Sequence, residues 1–233
     1  MPTLPKMLPP EQTAQQSLQN AAATLGQPLS TAQADTLIAY LALLQRWNGT
    51  YNLTAVRDPA QMLTQHLADC LAVIGPLRRA CGDAPRRLLD VGSGAGLPGV
   101  LIAALNPSID VTCVDAVGKK AAFVQEVAAE LRLGNLHAAH ARVEHLKTAP
   151  FDVVTSRAFA SLVNFVRLTR LHLAVDGLWM AMKGKHPADE LAALPVGVEL
   201  FHVEQLVVPG LGAERCLVWM RPKPEAANTP GSL

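Results

Sequence analysis

The sequence predicts an α/β fold in which a mostly parallel sheet ends in an antiparallel hairpin and follows an N-terminal helical extension. From residue 86 onward, short apolar runs alternate with helix-forming segments, which is typical of parallel βαβ units. Near the end of the chain, two strand-like runs are joined by a short loop containing Pro209 and Gly210, which favours antiparallel pairing. Before residue 86, the apolar residues recur at helical spacing instead.

Residues 13–84 are expected to form the helical extension. Ser30 and Gln33 have the Ser-x-x-Gln spacing of a capping box, and an apolar stripe at helical intervals follows them. Asp58 precedes a proline and has Gln61 three residues further on, which predicts a second helix start of the same kind. The extension is therefore predicted to contain at least two amphipathic helices.

Residues 85–221 are expected to form the sheet domain. Its predicted strands lie at 88–91, 111–115, 136–139, 151–155, 178–182, 202–208 and 215–220, and its clearest predicted helices at 119–131 and 162–173. The ends of the chain, residues 1–12 and 222–233, are punctuated by prolines and are expected to be disordered.

The composition is that of a globular protein with a packed core, since 50% of the residues are hydrophobic and 17% are charged. Lys and Arg total 20 against 19 for Asp and Glu, so a surface for nucleic acid requires local clustering of cations. The four cysteines form no Cys-x-x-Cys pair, which predicts reduced thiols and no metal site. Because no secretory signal or long apolar run is seen, we expect a cytoplasmic protein without a membrane span.

A glycine-rich loop carries the main functional pattern. It covers residues 90–99, DVGSGAGLPG, directly after a predicted strand and before a helix-forming run. Glycines let the backbone turn sharply and approach a ligand closely. The spacing is G-x-G-x-G with an acid, Asp90, two residues before the first glycine, which differs from the G-x-G-x-x-G of dinucleotide-binding proteins. The alternative interpretation is a tight strand-to-helix turn without a ligand.

Two further loops follow predicted strands. Asp115 ends the second strand, where a carboxylate can accept hydrogen bonds from both hydroxyls of an adenosine ribose. Its alternative role is to cap the helix that starts near Lys119. Val143 and Glu144 follow the weaker third strand, in the loop that meets an adenine in sheets of this kind.

Arg157 lies in the segment 156–160, SRAFA, at the carboxyl end of the predicted strand 151–155. Ligands of open α/β sheets bind outside the carboxyl ends of the strands, and a planar guanidinium suits carboxylate or phosphate. Arg157 is therefore a candidate to contact either a cofactor or an incoming RNA, and the sequence does not choose between them. The alternative is a solvated arginine in a loop.

The combination of these motifs closely resembles the RsmG (GidB) family of 16S rRNA guanine-N7 methyltransferases. The resemblance covers about residues 30–221 and rests on the segments 47–54, 66–69, 90–99, 115–120, 156–160 and 183–184. The chain departs from the usual family pattern at Leu97, Ala116 and Lys120, where the family often has Phe, Ser and Arg.

The resemblance implies a class I S-adenosylmethionine-dependent methyltransferase fold, Rossmann-like, with a helical extension. It implies methylation of N7 of a guanine, position 527, in the 16S rRNA of the small ribosomal subunit. The residues expected to bind S-adenosylmethionine are Gly92, Gly94, Leu97, Asp115 (on the ribose), Val143, Glu144 and Arg157. We expect the protein to act as a monomer.

The chemistry explains why no catalytic acid or base stands out. Guanine N7 carries an unprotonated lone pair at neutral pH, so the enzyme mainly has to place it and exclude water, and Arg157 is the candidate positioning residue. Lys119, Lys183 and Lys185 are the candidate RNA-binding residues, because they fall near carboxyl ends of strands. His66 and Asp69 are three apart on a predicted helix and are either part of the site or a pair that packs the extension on the sheet.

Three other functions remain open from the residues alone. An NAD-dependent dehydrogenase predicts G-x-G-x-x-G and a residue placed for hydride transfer, and neither is evident. A methyltransferase of proteins or small molecules would share the cofactor loop. A non-catalytic nucleotide-sensing or ribosome-assembly module would bind the cofactor without turnover.

Overall fold

The computed structural model describes residues 11–223 except positions 83, 85 and 160. In this part of the chain the seven strands are β1 Arg86–Val91, β2 Ile109–Asp115, β3 Leu136–His140, β4 Phe151–Arg157, β5 Leu173–Lys183, β6 Val198–Leu206 and β7 Arg215–Pro222. They form one sheet in the order β3-β2-β1-β4-β5-β7-β6. β1 to β5 are mutually parallel, whereas β7 pairs antiparallel with both β5 and β6. The predicted fold class is confirmed.

The helices cover both faces of this sheet. They are α1 Glu11–Thr24, α2 Thr31–Tyr51, α3 Pro59–Met62, α4 Asp69–Leu71, α5 Ile74–Cys81, α6 Gly99–Leu105, α7 Gly118–Glu130, α8 Leu162–Thr169 and α9 Ala188–Ala192. A π-helical turn, Leu63–Ala68, joins α3 to α4, and short 3-10 turns lie at Val143–His145 and Arg170–His172. No helix in the described ranges is both long and apolar enough to cross a membrane.

The predicted helix starts in the extension form as local hydrogen bonds. The Ser30 hydroxyl accepts from the Gln33 amide, and the Gln33 side chain accepts from the Ser30 amide, so this capping box is confirmed. At the second start, the Asp58 carboxylate accepts from the Gln61 amide at 2.9 Å, which is the N-cap half of the predicted box. Both caps fix where the helices of the extension begin.

Several element bounds differ from the sequence-based expectation. The helix predicted for 162–173 ends as α8 at Thr169, because Leu173 already pairs with Phe151 of β4 as a strand residue. The strand predicted for 202–208 is shifted to β6, because its register with β7 begins at Val198 and runs to Leu206. Glu11 and Pro222, which were assigned to loose ends, belong to α1 and β7. Most of the predicted tails lie outside the described residues.

The sheet divides the hydrophobic core into two layers. Successive side chains of a strand point to opposite faces, so fully buried Leu88 packs among the helices of the extension, α6 and α7, whereas fully buried Leu89 packs on the side of α8. Because both faces are covered, the central strands are apolar on both sides, which is why they appear as continuous apolar runs in the sequence.

The strand order reverses between β1 and β4. The chain leaves β1 toward β2 on one side, and β4 then pairs with β1 on the other. Loops leaving the carboxyl ends of these two strands therefore diverge and leave a crevice, which is where open α/β sheets bind their ligands.

Candidate active site

The glycine-rich loop lies at this crevice. It leaves β1 after Val91 and enters α6 at Gly99, and three of its glycines, Gly92, Gly94 and Gly96, have positive φ angles of 64°, 60° and 82°. Glycine adopts this region without the steric cost that a Cβ imposes. A Cβ built on Gly94 meets nothing within 4 Å, so this part of the loop borders open space.

The loop is held from three directions. The Gly92 amide donates to the carbonyl of Val114 at 2.9 Å, which ties the loop to β2. The Ser156 hydroxyl of β4 donates to the carbonyl of Val91 at 2.8 Å. The Tyr40 hydroxyl, from α2 of the extension, donates to the carbonyl of Ala95 at 2.8 Å. The conformation of the loop therefore depends on the extension as well as on the sheet.

Asp115, the last residue of β2, also holds the loop. One carboxylate oxygen accepts from the Gly94 amide at 3.0 Å and the other accepts from the Val117 amide at 2.9 Å. The Lys120 ammonium lies 3.8 Å from the first of these oxygens. The carboxylate is thus fixed between two loops at the carboxyl ends of neighbouring strands.

Asp90 fixes the base of the loop from inside the protein. It is fully buried, and one carboxyl oxygen accepts from the Gly99 amide at 2.9 Å, whereas the other has no hydrogen-bond partner among the described residues. Burial raises the pKa of Asp90 to about 7. A Cβ on Gly99 would collide with the Cys113 sulfur and crowd Asp90, so only glycine lets α6 approach the sheet this closely.

Two cavities open at the carboxyl edge of the sheet. The first has a volume of about 210 Å³ and is bordered by the loops after β1, β2 and β3, including Gly92, Asp115, Val143 and Glu144. The second, here called the cleft, has a volume of about 430 Å³ and lies between the π-helical turn of the extension and the ends of β4, β5 and β7. Phe159 lines both spaces, so they are adjacent parts of one site.

The cleft contains a buried carboxylate between two guanidinium groups. Asp69 accepts from Nη1 of Arg157 at 3.4 Å and from Nε of Arg215 at 2.7 Å, with a different oxygen for each. Nη1 of Arg157 also donates to the carbonyl of Gln65 at 3.0 Å. Arg157 ends β4 and Arg215 begins β7, so the extension is clamped to two strands at this point.

His66 lies beside this ion pair with a neutral ring. Its Nε2 is 3.1 Å from the Thr54 hydroxyl, and its Nδ1 is buried without a hydrogen-bond partner among the described residues. Burial, and to a lesser extent the positive charge of Arg157, lowers the pKa of His66 to about 4.

Residues 33–218 of the chain match the family described as GidB, rRNA small subunit methyltransferase G. The chain belongs to this family. The chain is also 63% identical over 207 residues to the ribosomal RNA small subunit methyltransferase G of Leptothrix cholodnii, covering 89% of this chain and 95% of that one. The resemblance inferred from the motifs is therefore confirmed.

Solved structures of lower sequence identity share the fold of this methyltransferase G family member. TrmN from Thermus thermophilus is similar with a TM-score of 0.55 and 21% identity, over 69% of this chain and 53% of that one. The 1,6-didemethyltoxoflavin-N1-methyltransferase of Burkholderia thailandensis, solved with S-adenosylhomocysteine, is similar with a TM-score of 0.55 and 17% identity, over 80% of this chain and 90% of that one.

The structure groups the predicted cofactor residues of the family motif into two sets and leaves one apart. Gly92, Asp115, Val143 and Glu144 line the first cavity, and Gly94 adjoins it through its hydrogen bond to Asp115. Arg157 lines the cleft instead. The Leu97 side chain is only 2% exposed and packs in the core, so it borders neither cavity.

The three predicted RNA-binding lysines differ in their surroundings. The Lys183 ammonium lines the cleft and donates to both carboxylate oxygens of Glu190, at 2.9 and 2.8 Å. Lys119 donates to the carbonyl of Tyr51 at 2.6 Å, which links α7 to the end of α2. Lys185 is exposed in the loop after β5.

Sequence reasoning missed several residues that build the site. Tyr40 and Ser156 hold the loop, Phe159 separates the two cavities, and Arg215 shares Asp69 with Arg157. Phe159 lay within the motif 156–160 but was not singled out. Nothing in the local sequence marks Arg215, because its partner is 146 residues away along the chain.

Proposed function

We propose that this member of the methyltransferase G family transfers a methyl group from S-adenosylmethionine to N7 of a guanine, position 527, in the 16S rRNA of the small ribosomal subunit. The coarser activity, methylation of small-subunit ribosomal RNA, is that of the family to which the chain belongs. The guanine, its N7 atom and its position come from the motif resemblance. We expect the protein to act in the cytoplasm, where ribosomal subunits are found.

The residues around the first cavity fit S-adenosylmethionine. Gly94 presents open space where any other residue would place a side chain. Each oxygen of Asp115 accepts one backbone amide, and a carboxylate oxygen has a second lone pair, so both retain capacity for ribose hydroxyls. Gly92, Gly94, Asp115, Val143 and Glu144 would hold the adenosine side of the cofactor. When bound, the cofactor supplies a methyl group activated by its sulfonium.

The observation that carries the proposal is the adjacency of the two cavities across Phe159. A transferase needs its donor and acceptor in contact, and the strand-order reversal places both spaces at the same edge of the sheet. The cleft holds the guanidinium group of Arg215, which suits a phosphate of an RNA, and Arg157 lies on the side of the cleft next to the glycine-rich loop. In the proposed reaction, a guanine splayed out of its stack would enter this cleft.

The work of the protein in this reaction is placement. N7 of guanine needs no deprotonation, so the cleft does not have to supply a base at neutral pH. Asp69 fixes Arg157 and Arg215, and Phe159 borders both the first cavity and the cleft. A base seated in the cleft would displace water, with its lone pair aligned with the methyl group for in-line displacement.

The proposal is tested by incubating the protein with methyl-labelled S-adenosylmethionine and, separately, small subunits, large subunits and a soluble protein extract. We expect label only in the small subunit, and nuclease mapping with mass spectrometry should give one N7-methylguanosine at position 527. Label at another atom or nucleotide contradicts the finer assignment, and label in the extract supports a protein or small-molecule substrate instead. Binding of S-adenosylhomocysteine without any transfer supports a non-catalytic module.

We also propose that residues 13–84 act as a helical extension of a methyltransferase domain spanning residues 85–221. The contacts of Tyr40 with the glycine-rich loop and of Asp69 with the cleft support a joint site. A monomeric state and independence from metal ions remain predictions, which sedimentation and activity in the presence of a chelator will check.

A further inference from the structure

We propose that Asp69 is a positioning residue that holds Arg157 on the cofactor side and Arg215 on the RNA side of the reaction, and that Arg215 binds an RNA phosphate. This inference rests on the proposed function, because it assigns roles within the cleft of that site. The inference goes beyond the proposed function in two ways. It names the carboxylate that links the two substrate sites, and it names the RNA group that Arg215 binds.

The geometry gives Asp69 a central place. Its side chain is only 3% exposed, whereas those of Arg157 and Arg215 are 24% and 26% exposed. The carboxylate therefore lies beneath the two guanidinium groups, which reach the surface of the cleft. The strand register sets Arg157 beside the glycine-rich loop, because Thr155 pairs with Asp90 and the two strands run parallel. Arg215 lies two strands away, beside Lys183 of β5.

The hydrogen bonds leave donors available on the exposed side. Arg157 uses Nη1 for Gln65 and Asp69, and Arg215 uses Nε for Asp69 and Nη1 for the carbonyl of Glu214. Among the described residues, Nε and Nη2 of Arg157 and Nη2 of Arg215 have no hydrogen-bond acceptor. Since a guanidinium carries five N–H groups, each arginine can still bind an anionic oxygen while it remains fixed by Asp69.

The charges in the cleft favour a single phosphate. Lys183 is neutralised by Glu190, and Asp69 neutralises one of the two arginines, so this group of five side chains retains one positive charge. Without Asp69, two guanidinium groups would face each other and repel. A phosphodiester carries one negative charge, which matches the one positive charge that remains in the cleft. The planar guanidinium of an arginine is well suited to bind it.

The π-helical turn explains how Asp69 reaches this place. The turn Leu63–Ala68 directly precedes Asp69 and carries Gln65, whose carbonyl also accepts from Arg157. Such turns inside helical segments are often found at functional sites. The extension thus contributes both a carboxylate and a carbonyl to the orientation of one arginine.

The test compares Asp69→Asn, Asp69→Glu and Arg215→Gln with wild type. Asp152→Asn is the control for Asp69→Asn, because Asp152 is a carboxylate near Arg86 at the opposite end of β4. Arg221→Gln is the control for Arg215→Gln, because Arg221 is ion-paired with Glu199 at the other end of β7. Calorimetry measures the binding of S-adenosylhomocysteine, and steady-state kinetics across a salt series give kcat and KM for small subunits. Thermal unfolding checks that each variant is folded.

We expect Asp69→Asn to raise KM for small subunits at least ten-fold and to weaken cofactor binding several-fold, with the controls unchanged. Arg215→Gln should raise KM without changing cofactor binding. It should also reduce the magnitude of the slope of log(1/KM) against log salt by about 0.7 to 0.9, the value for one phosphate contact. The double variant of Asp69→Asn and Arg215→Gln should have the same KM as the worse single variant. Asp69→Glu keeps the charge but displaces both arginines, so it should be impaired as well.

Any one of three results would overturn the proposal: additive effects on kcat/KM in the double variant, a wild-type KM in Asp69→Glu, or an unchanged salt slope in Arg215→Gln. If the Asp69 variants do not fold, Arg157→Gln and Arg215→Gln replace them, since a shared carboxylate predicts that their effects on kcat/KM do not add. If wild type does not methylate small subunits, the proposed function itself fails. Retention of the variants on small subunits during sedimentation then tests Asp69 separately.

Discussion

The carboxylate of Asp115 accepts a hydrogen bond from the backbone amide of Gly94 at 3.0 Å, so the acid at the end of β2 holds the loop at the end of β1. The two residues lie 21 positions apart in the sequence. This contact gives Asp115 two roles, because the group proposed to bind the ribose also shapes the loop beside it. A variant of Asp115 therefore tests both roles together, whereas a variant of Gly94 tests the open space beside the loop.

Replacing Gly94 by valine is expected to abolish binding of S-adenosylhomocysteine in calorimetry. The side chain would occupy the open space beside the loop, and a β-branched residue at φ 60° is strained by about 1–3 kcal/mol. Gly26→Val is the matched control, because Gly26 also has a positive φ and an open Cβ position but lies between α1 and α2. Equal affinity in both variants would show that Gly94 does not border the cofactor.

Removing the Asp115 carboxylate with Asp115→Ala is expected to weaken cofactor binding ten-fold or more. Hydrogen bonds to a charged acceptor contribute about 1.5–3 kcal/mol, and about 1.4 kcal/mol corresponds to a factor of ten. Calorimetry with S-adenosylhomocysteine measures the change. Asp110→Ala, on the same strand but with a side chain that is 45% exposed and paired with His137, should bind normally. If Asp115→Ala binds as wild type does, the carboxylate has only a structural role, as acceptor for the Gly94 and Val117 amides.

Replacing Arg157 by alanine is expected to lower cofactor affinity and methylation together, and Arg157→Lys to restore both only in part. A lysine ammonium keeps the charge but lacks the planar guanidinium. In Arg157, Nη1 alone donates to Gln65 and Asp69, and the other two nitrogens stay available for a ligand. Calorimetry and transfer to small subunits measure the two effects. Normal cofactor binding with lost methylation would assign Arg157 to the RNA alone.

The neutral state of His66 predicts a dependence of stability on pH. Its pKa of about 4 lies below the value of about 6.5 in an unfolded chain, so the unfolded state binds more protons between these values. The free energy of unfolding should therefore fall as the pH drops from about 6.5 to about 4, because the unfolded state is stabilised by protonation. Urea unfolding at several pH values measures this slope.

His66→Gln is the comparison that isolates this slope, because glutamine does not titrate. Asp90 contributes a slope of opposite sign, since its pKa of about 7 is raised and its folded state binds more protons between about 4 and 7. The difference in unfolding free energy between His66→Gln and wild type should grow in favour of the variant as the pH falls to about 4. A difference that does not vary with pH would show that His66 is not held neutral.

Local patterns in the sequence were sufficient for the elements and for part of the site. The apolar runs around Leu88 and Leu89 predicted buried parallel strands, because a strand covered on both faces is apolar throughout. The spacing of Ser30 and Gln33 predicted a capping box, because that interaction spans three residues only. The glycines at 92, 94 and 96 predicted a sharply turning loop, and all three have positive φ angles in the structure, which glycine adopts readily.

Bounds that depend on distant partners were predicted less well. The start of β6 at Val198 follows from its pairing with β7, and the end of α8 at Thr169 follows from the pairing of Leu173 with β4. Local propensity does not predict these strand registers, because they are set by hydrogen bonds between strands that are distant in sequence.

The sequence by itself determined the fold class, the family and the loops that surround the first cavity, because those depend on short motifs that follow individual strands. Only the tertiary structure decided which groups Asp69 and Arg157 contact. The sequence left Asp69 between a functional and a packing role, and folding brings it to Arg157, 88 residues away, and to Arg215, 146 residues away. This contact joins α4 of the extension to β4 and β7. It can form only when the sheet order has brought the end of β4 and the start of β7 to the same edge of the sheet.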